Sequence, residues 1–459
     1  MTAKYLHLMH CAAMISVIIT MLYLGGFLYW DPSQKPQILQ ENPWEIYGAF
    51  ALLLYLCRYL SLLGLPQVLV NFLGLLCFNA FPDTPKLKKC LKPSPYICFR
   101  VVTRGDYPEL VTDNVQRNIN ICRDAGLEKF VVEVVTDKSI SLVANEVKRE
   151  VVVPTSYATK SGAMFKARAL QYCLEDDVNT LEDNDWIVHL DEETLLTPGV
   201  VHGIINFINE DKHQFGQGTI TYANEEIVNF FLTLCDTVRV ADDMGKIRFQ
   251  LRVFNKPLFG WKGSFVVSKV GAERSVTFDN GRDSSVAEDA FFGLLAASKG
   301  YSFGFVEGEM WEKSPFTLMD FLQQRKRWLQ GLLLVVHSQR IPFRYRLLLG
   351  CSVYSSVTMP LTTANVILQP MFPLPMPPII DFLVCFIGGT LLYMYIYGVI
   401  RSFHIRRVGL LKYAVMLVSN IVITPFKLVV ENTAVIWALL SNKHKFFVIG
   451  KAIPVGHNV

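Results

Sequence analysis

Apolar residues in this chain collect in blocks at both ends, around a patterned middle. The first block, roughly Leu6 to Trp30, has no charged residue and is long enough to cross a bilayer as a helix. Its length and the lack of a small-residue cleavage site make it a retained anchor rather than a signal peptide. The second block, Ile46 to Phe81, is interrupted by Arg58 and by Gly64-Leu65-Pro66. It predicts one span over about 46–65 and a short helix over 66–81. From Leu347 to Ile380 there is no Asp, Glu, Lys or Arg. Two crossings are expected, about 347–369 and 379–400, around a turn rich in proline (Pro370, Pro373, Pro375, Pro377, Pro378). The last region, 409–440, contains Pro425, Lys427 and Glu431 and reads as one tilted span or as a re-entrant hairpin hinged near Pro425. The expected organisation is a membrane region over 1–82, a globular domain over 83–335 and a second membrane region over 336–459.

The middle has the rhythm of an α/β domain. Tyr96–Val102 and Phe130–Val135 are β-rich runs, and about 108–125 between them reads as a helix closed by Gly126. Strand, helix and strand at this spacing predict a βαβ unit in a parallel sheet. Ligands in such sheets sit beyond the carboxyl ends of the strands, which puts Thr103, Arg104 and Asp137 on one rim. A further helix is expected over Ser161–Cys173, with Lys166 and Arg168 near its start. Trp186–Leu190 is another strand.

Composition agrees with this division. Of 459 residues, 51% are hydrophobic and 18% charged, against roughly 25% charged in a soluble domain. Mean hydropathy is +0.30. Disordered chains, disulfide-rich miniproteins and ordinary cytosolic enzymes are excluded. A net charge of +4 over this length gives no case for a nucleic-acid partner. The ten cysteines show no paired spacing, so neither a disulfide framework nor a zinc site is indicated.

Charge also orients the chain. The loop 31–45 is net negative, whereas Lys86, Lys88, Lys89, Lys92, Arg100 and Arg104 follow the second apolar block and Arg401, Arg406, Arg407 and Lys412 follow the fourth span. By the positive-inside tendency the globular domain faces the cytosol. No Asn-x-Ser/Thr sequence occurs, in keeping with that side. Lys443, Lys445 and Lys451 favour a cytosolic C-terminus.

Four clusters in the middle carry candidate chemistry. Asp191-Glu192-Glu193 ends a buried strand, where like charges repel unless a cation or proton relieves them. It is either a solvated acidic loop or a site for a hard divalent ion, with Asp191 and Glu193 turned towards it. Gly260-Trp261-Lys262-Gly263 is either a tight turn or a close approach to a ligand. Glu288-Asp289 opens an apolar helix and is either helix-start chemistry or a functional acid pair. Gln324-Arg325-Lys326-Arg327-Trp328 is either an interfacial anchor or part of the site.

The order of these clusters is more specific than any one of them. Strand-end Asp, acidic triplet, Glu-Asp and Gln-x-x-Arg-Trp, followed by membrane spans, resembles the membrane-bound inverting glycosyltransferases with a GT-A (Rossmann-like) fold. That group holds cellulose, chitin and hyaluronan synthases and ceramide glucosyltransferase. The resemblance covers about residues 95–335. Three departures are visible: Glu193 stands where the family has a second Asp, Ala287-Glu288-Asp289 lacks the usual Thr, and Thr136-Asp137-Lys138-Ser139 replaces Asp-Asp-Gly-Ser.

The resemblance implies roles. Asp289 is the expected general base. Asp191 and Glu193 are expected to hold Mg²⁺ or Mn²⁺. Thr103, Arg104, Asp137, Lys166 and Arg327 are expected around the nucleotide diphosphate, and Gln324, Trp328, Glu288 and Trp261 around the acceptor. More closely, the whole chain resembles β-1,4-mannosyltransferases that act on glucosylceramide. This implies GDP-mannose as donor, glucosylceramide as acceptor and residence in Golgi or endoplasmic reticulum membranes. A processive polysaccharide synthase shares the Gln-x-x-Arg-Trp motif, but few spans are expected here. A transporter or inactive scaffold is the reading from another class. Its only ionisable candidates within spans are Arg58, Asp381, Lys427 and Glu431.

Overall fold

The computed structural model describes residues 3–25, 42–88, 96–442 and 450–451. The chain begins with α1 (Ala3–Leu24) and α2 (Phe50–Cys77). The central region then follows as β1 (Ile97–Thr103), α3 (Pro108–Asp124), β2 (Phe130–Thr136), β3 (Lys148–Val152), α4 (Phe165–Tyr172), β4 (Trp186–Asp191), α5 (Pro198–Glu210), β5 (Phe215–Thr221), α6 (Phe230–Asp242), β6 (Val266–Lys269), α7 (Val270–Val276), α8 (Glu288–Ser298), β7 (Phe303–Trp311) and α9 (Leu318–His337). Among the described residues α10 (Phe343–Val357), α11 (Met359–Met371), α12 (Pro378–Ser402), α13 (Leu410–Val422) and α14 (Thr424–Leu440) follow, with one short helical turn over Ile405–Val408 before α13.

The sheet has seven strands in the order β3-β2-β1-β4-β6-β5-β7. Its first four strands are parallel, as the βαβ spacing predicts. β6 is antiparallel to both neighbours. β1 and β2 are runs of β-branched and aromatic residues buried along almost their whole length, the pattern of strands covered on both faces. Pro108 supplies a preset φ at the first turn of α3, and Gly126 follows its end at φ +77°. The parallel register sets Thr103 beside Thr136 and Asp191 beside Val102. The strand ends named from sequence therefore share one rim.

A polar layer lies inside this sheet. Arg100 Nε donates to Glu133 Oε1 at 2.5 Å, and His189 Nε2 meets Glu273 Oε2 at 2.7 Å. Arg100 is fully buried. Losing one partner of such a network strands a buried charge, which costs about 3–5 kcal/mol.

Three helices are long and apolar enough to cross a membrane: α1, α2 and α12. The expected span over 46–65 and short helix over 66–81 are one continuous 28-residue helix. A tight turn over Ser61–Gly64 lets the chain pass Pro66, which stands at the helical restart where it needs no hydrogen-bond partner. At about 1.5 Å per residue this helix exceeds a hydrocarbon core of roughly 30 Å. Its last turns dock on the central region. Asn71 Nδ2 donates to Asp242 Oδ1 at 2.9 Å and Asn71 Oδ1 accepts from Lys246 N at 2.7 Å. A Cβ on Gly74 would meet Gly245 O at 2.2 Å. Gly245 lies in a π-helical stretch that prolongs α6, so a widened turn and two glycines bring the backbones together.

The expected crossing over 347–369 is a bent pair, α10 and α11, at 56°. Pro360 at the start of α11 explains the break. The region 409–440 is likewise a bent pair, α13 and α14, at 54°. Both its ends touch the central region. Arg407, just before it, donates to Ala223 O at 2.8 Å, and Gln330 donates to Ala438 O at 2.8 Å near its end. Ionisable residues in the apolar helices have structural partners, against a transport path. Arg58 pairs with Asp381 at 3.4 Å, and Lys427 donates to Leu234 O at 2.9 Å.

Candidate active site

The site is built where β1, β2 and β4 end and α8 and α9 begin. Asp191 is the last residue of β4. Its Oδ1 accepts from Lys166 Nζ at 2.5 Å, and the same ammonium donates to Gly263 O at 3.0 Å. A Cβ on Gly263 would stand 3.3 Å from Asp289 Oδ2 and 3.4 Å from Lys166 Nζ. The glycine loop noted in the sequence is thus the spacer between the β4 acid and the α8 acid. A side chain there would press on both.

The acidic triplet divides its work. Glu192 is buried, accepts from the Thr103 hydroxyl and is held through its backbone carbonyl by Asn114 at 2.9 Å. Glu193 lies beside Asp191 and Glu192. Burial, and after it the nearby Asp191, Glu312 and Glu192, push its pKa up to about 7, against the opposing pull of Lys451. Asp191 is drawn below its usual range, because Lys166 and Lys451 outweigh its desolvation.

Glu288 and Asp289 open α8. Burial and the neighbouring Asp289 push Glu288 up to about 7. Burial also raises Asp289, with Asp191 adding to it, against the backbone N–H of Ala290, Lys166 and Arg327. A helix N-terminus favours carboxylates, but desolvation beside a second acid is the larger effect here. A base raised towards neutrality suits proton removal from a sugar hydroxyl.

The expected nucleotide residues lie along the rim. Asp137 Oδ1 accepts from Arg168 Nη2 at 2.7 Å, and Arg104 pairs with Asp106 at 3.4 Å. Arg327 acts electrostatically on Asp191, Glu288 and Asp289.

One expected acceptor residue, Trp261, is placed otherwise. Trp261 is only 6% exposed and packs edge-on against Phe303 at 4.9 Å. It belongs to the core because Gly293 leaves room for its ring. The Trp328 ring carries the guanidiniums of Arg239 and Arg325, at 4.6 and 4.5 Å from its centroid. Gln324 Oε1 accepts from Arg325 at 3.1 Å.

Two residues of the site were not read from the sequence. Glu312, just after β7, accepts from the hydroxyls of Thr194 at 2.7 Å and Ser264 at 2.9 Å. Those hydroxyls face the Asp191 backbone N–H at 3.2 and 3.4 Å. Lys451, read from the sequence only as a tail lysine favouring a cytosolic C-terminus, lies 3.0 Å from Glu192 and donates to Glu193. Lys443 and Lys445 fall outside the described residues.

Among the described residues, no three His, Cys, Asp or Glu side chains are grouped as a metal site. Asp191 and Glu193 nevertheless fit a hard divalent ion. Mg²⁺ is commonly held by one or two carboxylates completed by substrate phosphates, and both acids already receive an ammonium group.

The sheet order and this carboxyl-lined rim define a GT-A glycosyltransferase. The profile of Glycosyl transferase family group 2 matches residues 186–438, and the chain belongs to that family. Beta-1,4-mannosyltransferase egh of Drosophila melanogaster is 57% identical over 450 residues, covering 98% of both chains. Beta-1,4-mannosyltransferase bre-3 of Caenorhabditis elegans is 53% identical over 455 residues, 99% of both, and that of Caenorhabditis briggsae 52% identical over the same span. These relatives support an enzyme that transfers mannose.

Proposed function

We propose that the enzyme moves mannose from GDP-mannose to the glucose of glucosylceramide in β-1,4 linkage. The carrying observation is the identity with the Drosophila mannosyltransferase along nearly the whole chain, joined to an acid raised towards neutrality at Asp289. Asp289 takes the proton of the acceptor hydroxyl. The freed oxygen attacks the anomeric carbon, the bond from that carbon to the diphosphate oxygen breaks, and GDP leaves. One displacement inverts the centre, so an α-linked donor yields a β-linked product. Lys166 and Arg327 supply fixed positive charge for the leaving diphosphate. Thr103, Arg104 and Asp137 border the nucleotide. Glu288, which burial and Asp289 push up to about 7, borders the acceptor with Gln324. Asp191 and Glu193 would hold Mg²⁺ or Mn²⁺, which would supply Lewis-acid neutralisation of the diphosphate.

The catalytic domain faces the cytosol of a Golgi or endoplasmic reticulum membrane on this reading. Its support is the basic loop after α12, which is tied to that domain by Arg401 on Glu309 at 3.1 Å and Arg407 on Glu225 O at 2.9 Å.

The test is to incubate the purified protein with glucosylceramide and, separately, GDP-mannose, UDP-glucose or UDP-N-acetylglucosamine, with and without Mn²⁺ or Mg²⁺. One added hexose from GDP-mannose alone, released by a β-mannosidase, is expected. Transfer from a UDP-sugar only, or a ladder of oligomers, would overturn the reading.

A further inference from the structure

The N-terminal ends of α6 and α9 meet at one corner of the catalytic domain. Asn229 Nδ2 donates to Phe316 O at 3.3 Å and joins them. Around that bond the domain exposes large apolar side chains: Phe230 at 53%, Leu318 at 46% and Met319 at 58%, with Val228 beside them. Soluble surfaces scatter such residues singly, and clusters of them mark contact sites.

This corner continues into the apolar helices. Phe321, Leu232 and Cys235 form one cluster against which Phe231 and Val430 of α14 pack. Arg325 Nε donates to Glu431 Oε1 at 3.2 Å one residue further on. On the same helix, Phe426 and Val429 are themselves exposed. The patch therefore lies on elements that pack against α14 through Val430.

The corner is also tied to the carboxyl cluster, once along the chain and once by a hydrogen bond. Glu312 precedes it on the connector out of β7. Asp320, next to Met319, accepts from Gly450 N at 3.3 Å, and the following Lys451 lies on Glu192 and Glu193.

We propose that this corner is immersed in the headgroup layer of the bilayer and is the entry for the lipid acceptor. The hydrocarbon tails stay in the leaflet against Phe230, Leu318 and Met319, while the sugar headgroup passes Asp320 to the carboxyl cluster. The inference rests on the reading of the acceptor as a membrane glycolipid and adds where it enters. An apolar wedge does for the acceptor what no diffusing pocket can do: it removes the cost of extracting the tails from lipid.

The full-length protein is tested with two acceptors, glucosylceramide in phosphatidylcholine vesicles and a water-soluble short-chain alkyl glucoside. The combined Phe230→Ser, Leu318→Ser, Met319→Ser variant is expected to raise KM for the vesicle lipid by about tenfold or more, since each exposed apolar side chain carries a substantial transfer energy. Its kcat and KM for the soluble glucoside stay unchanged, and Met319→Leu behaves as wild type on both. Equal loss on both acceptors, or loss on neither, overturns the entry assignment. Wild-type protein that uses the soluble glucoside but leaves the vesicle lipid untouched overturns the lipid-acceptor reading itself.

Discussion

Replacing Glu288 by Gln isolates one consequence of the crowded acids. Glu288 is only 9% exposed, and burial beside Asp289 moves its carboxyl from 4.5 to about 7. The folded state therefore binds a proton between these pH values that the unfolded chain has released. Stability falls with rising pH wherever the native state binds more protons. Glu288 costs nothing below about pH 4.5, and its contribution is lost progressively as pH rises through about 7. At roughly 1.4 kcal/mol per pH unit the full effect is on the order of 3 kcal/mol. At about 2–4 °C of Tm per kcal/mol for a domain of this size, wild type should lose roughly 10 °C to this group between pH 5 and pH 8. Glu288→Gln keeps the shape without the charge. Its Tm should equal wild type near pH 5 and exceed it by most of that amount at pH 8. Thermal unfolding in detergent, with chelator to hold divalent ions away, reads the difference. Glu193 titrates in both proteins and cancels from the comparison. Parallel curves, or a variant weaker at both ends of the window, would refute the buried-proton account.

Asp289→Asn should lower transfer by about 10²–10⁴-fold, the usual worth of a positioned base, while donor binding by calorimetry stays near wild type; wild-type turnover would remove Asp289 from the chemistry. Lys451→Ala takes away the ammonium on Glu192 and Glu193. The Mn²⁺ concentration for half-maximal activity should then fall several-fold by simple competition, whereas an unchanged metal titration would show that Lys451 and the ion do not compete. Gly74→Ala forces a methyl into the Gly245 carbonyl, 2.2 Å from the ideal Cβ position. It should cost about 1–3 kcal/mol through overpacking, visible as a lower Tm in detergent. An unaltered Tm would mean that α2 does not rest on that contact.

What the sequence made legible was what local pattern encodes. β1, α3, β2 and β4 follow from runs of β-branched residues, a proline at a helix start and Gly126 at its end, all within a few residues of the feature they predict. Asp191 and Asp289 were readable because each sits at a strand or helix terminus. Glu312 was not, since its meaning depends on the Thr194 and Ser264 hydroxyls, which β4 and the Gly263 loop bring to it. Trp261 misled for a related reason. An aromatic residue next to a motif has the same appearance whether it faces a sugar, fills space beside Gly293 or lies beneath Arg239 and Arg325. The break at Ser61–Gly64 was seen in the sequence, but not that the helix resumes through it.

Charge balance ties the site together. Asp191, Glu192, Glu193, Glu288, Asp289 and Glu312 face Lys166, Arg239, Arg327 and Lys451 through mutual electrostatic influence. The acids outnumber the cations before any nucleotide diphosphate adds its own negative charge. Part of the excess is met by protons, held by Glu193 and Glu288 up to about pH 7. Part is met by Lys451, brought from the far end of the chain. Further positive charge would favour the entry of a donor diphosphate, because like charges in a desolvated site repel. A divalent ion at Asp191 and Glu193 would provide it and would release the proton from Glu193 on binding. Proton release accompanying metal uptake near pH 7, measured by calorimetry in two buffers of different ionisation heat, is therefore expected. Metal uptake with no proton release would mean that the acids are balanced by lysine alone.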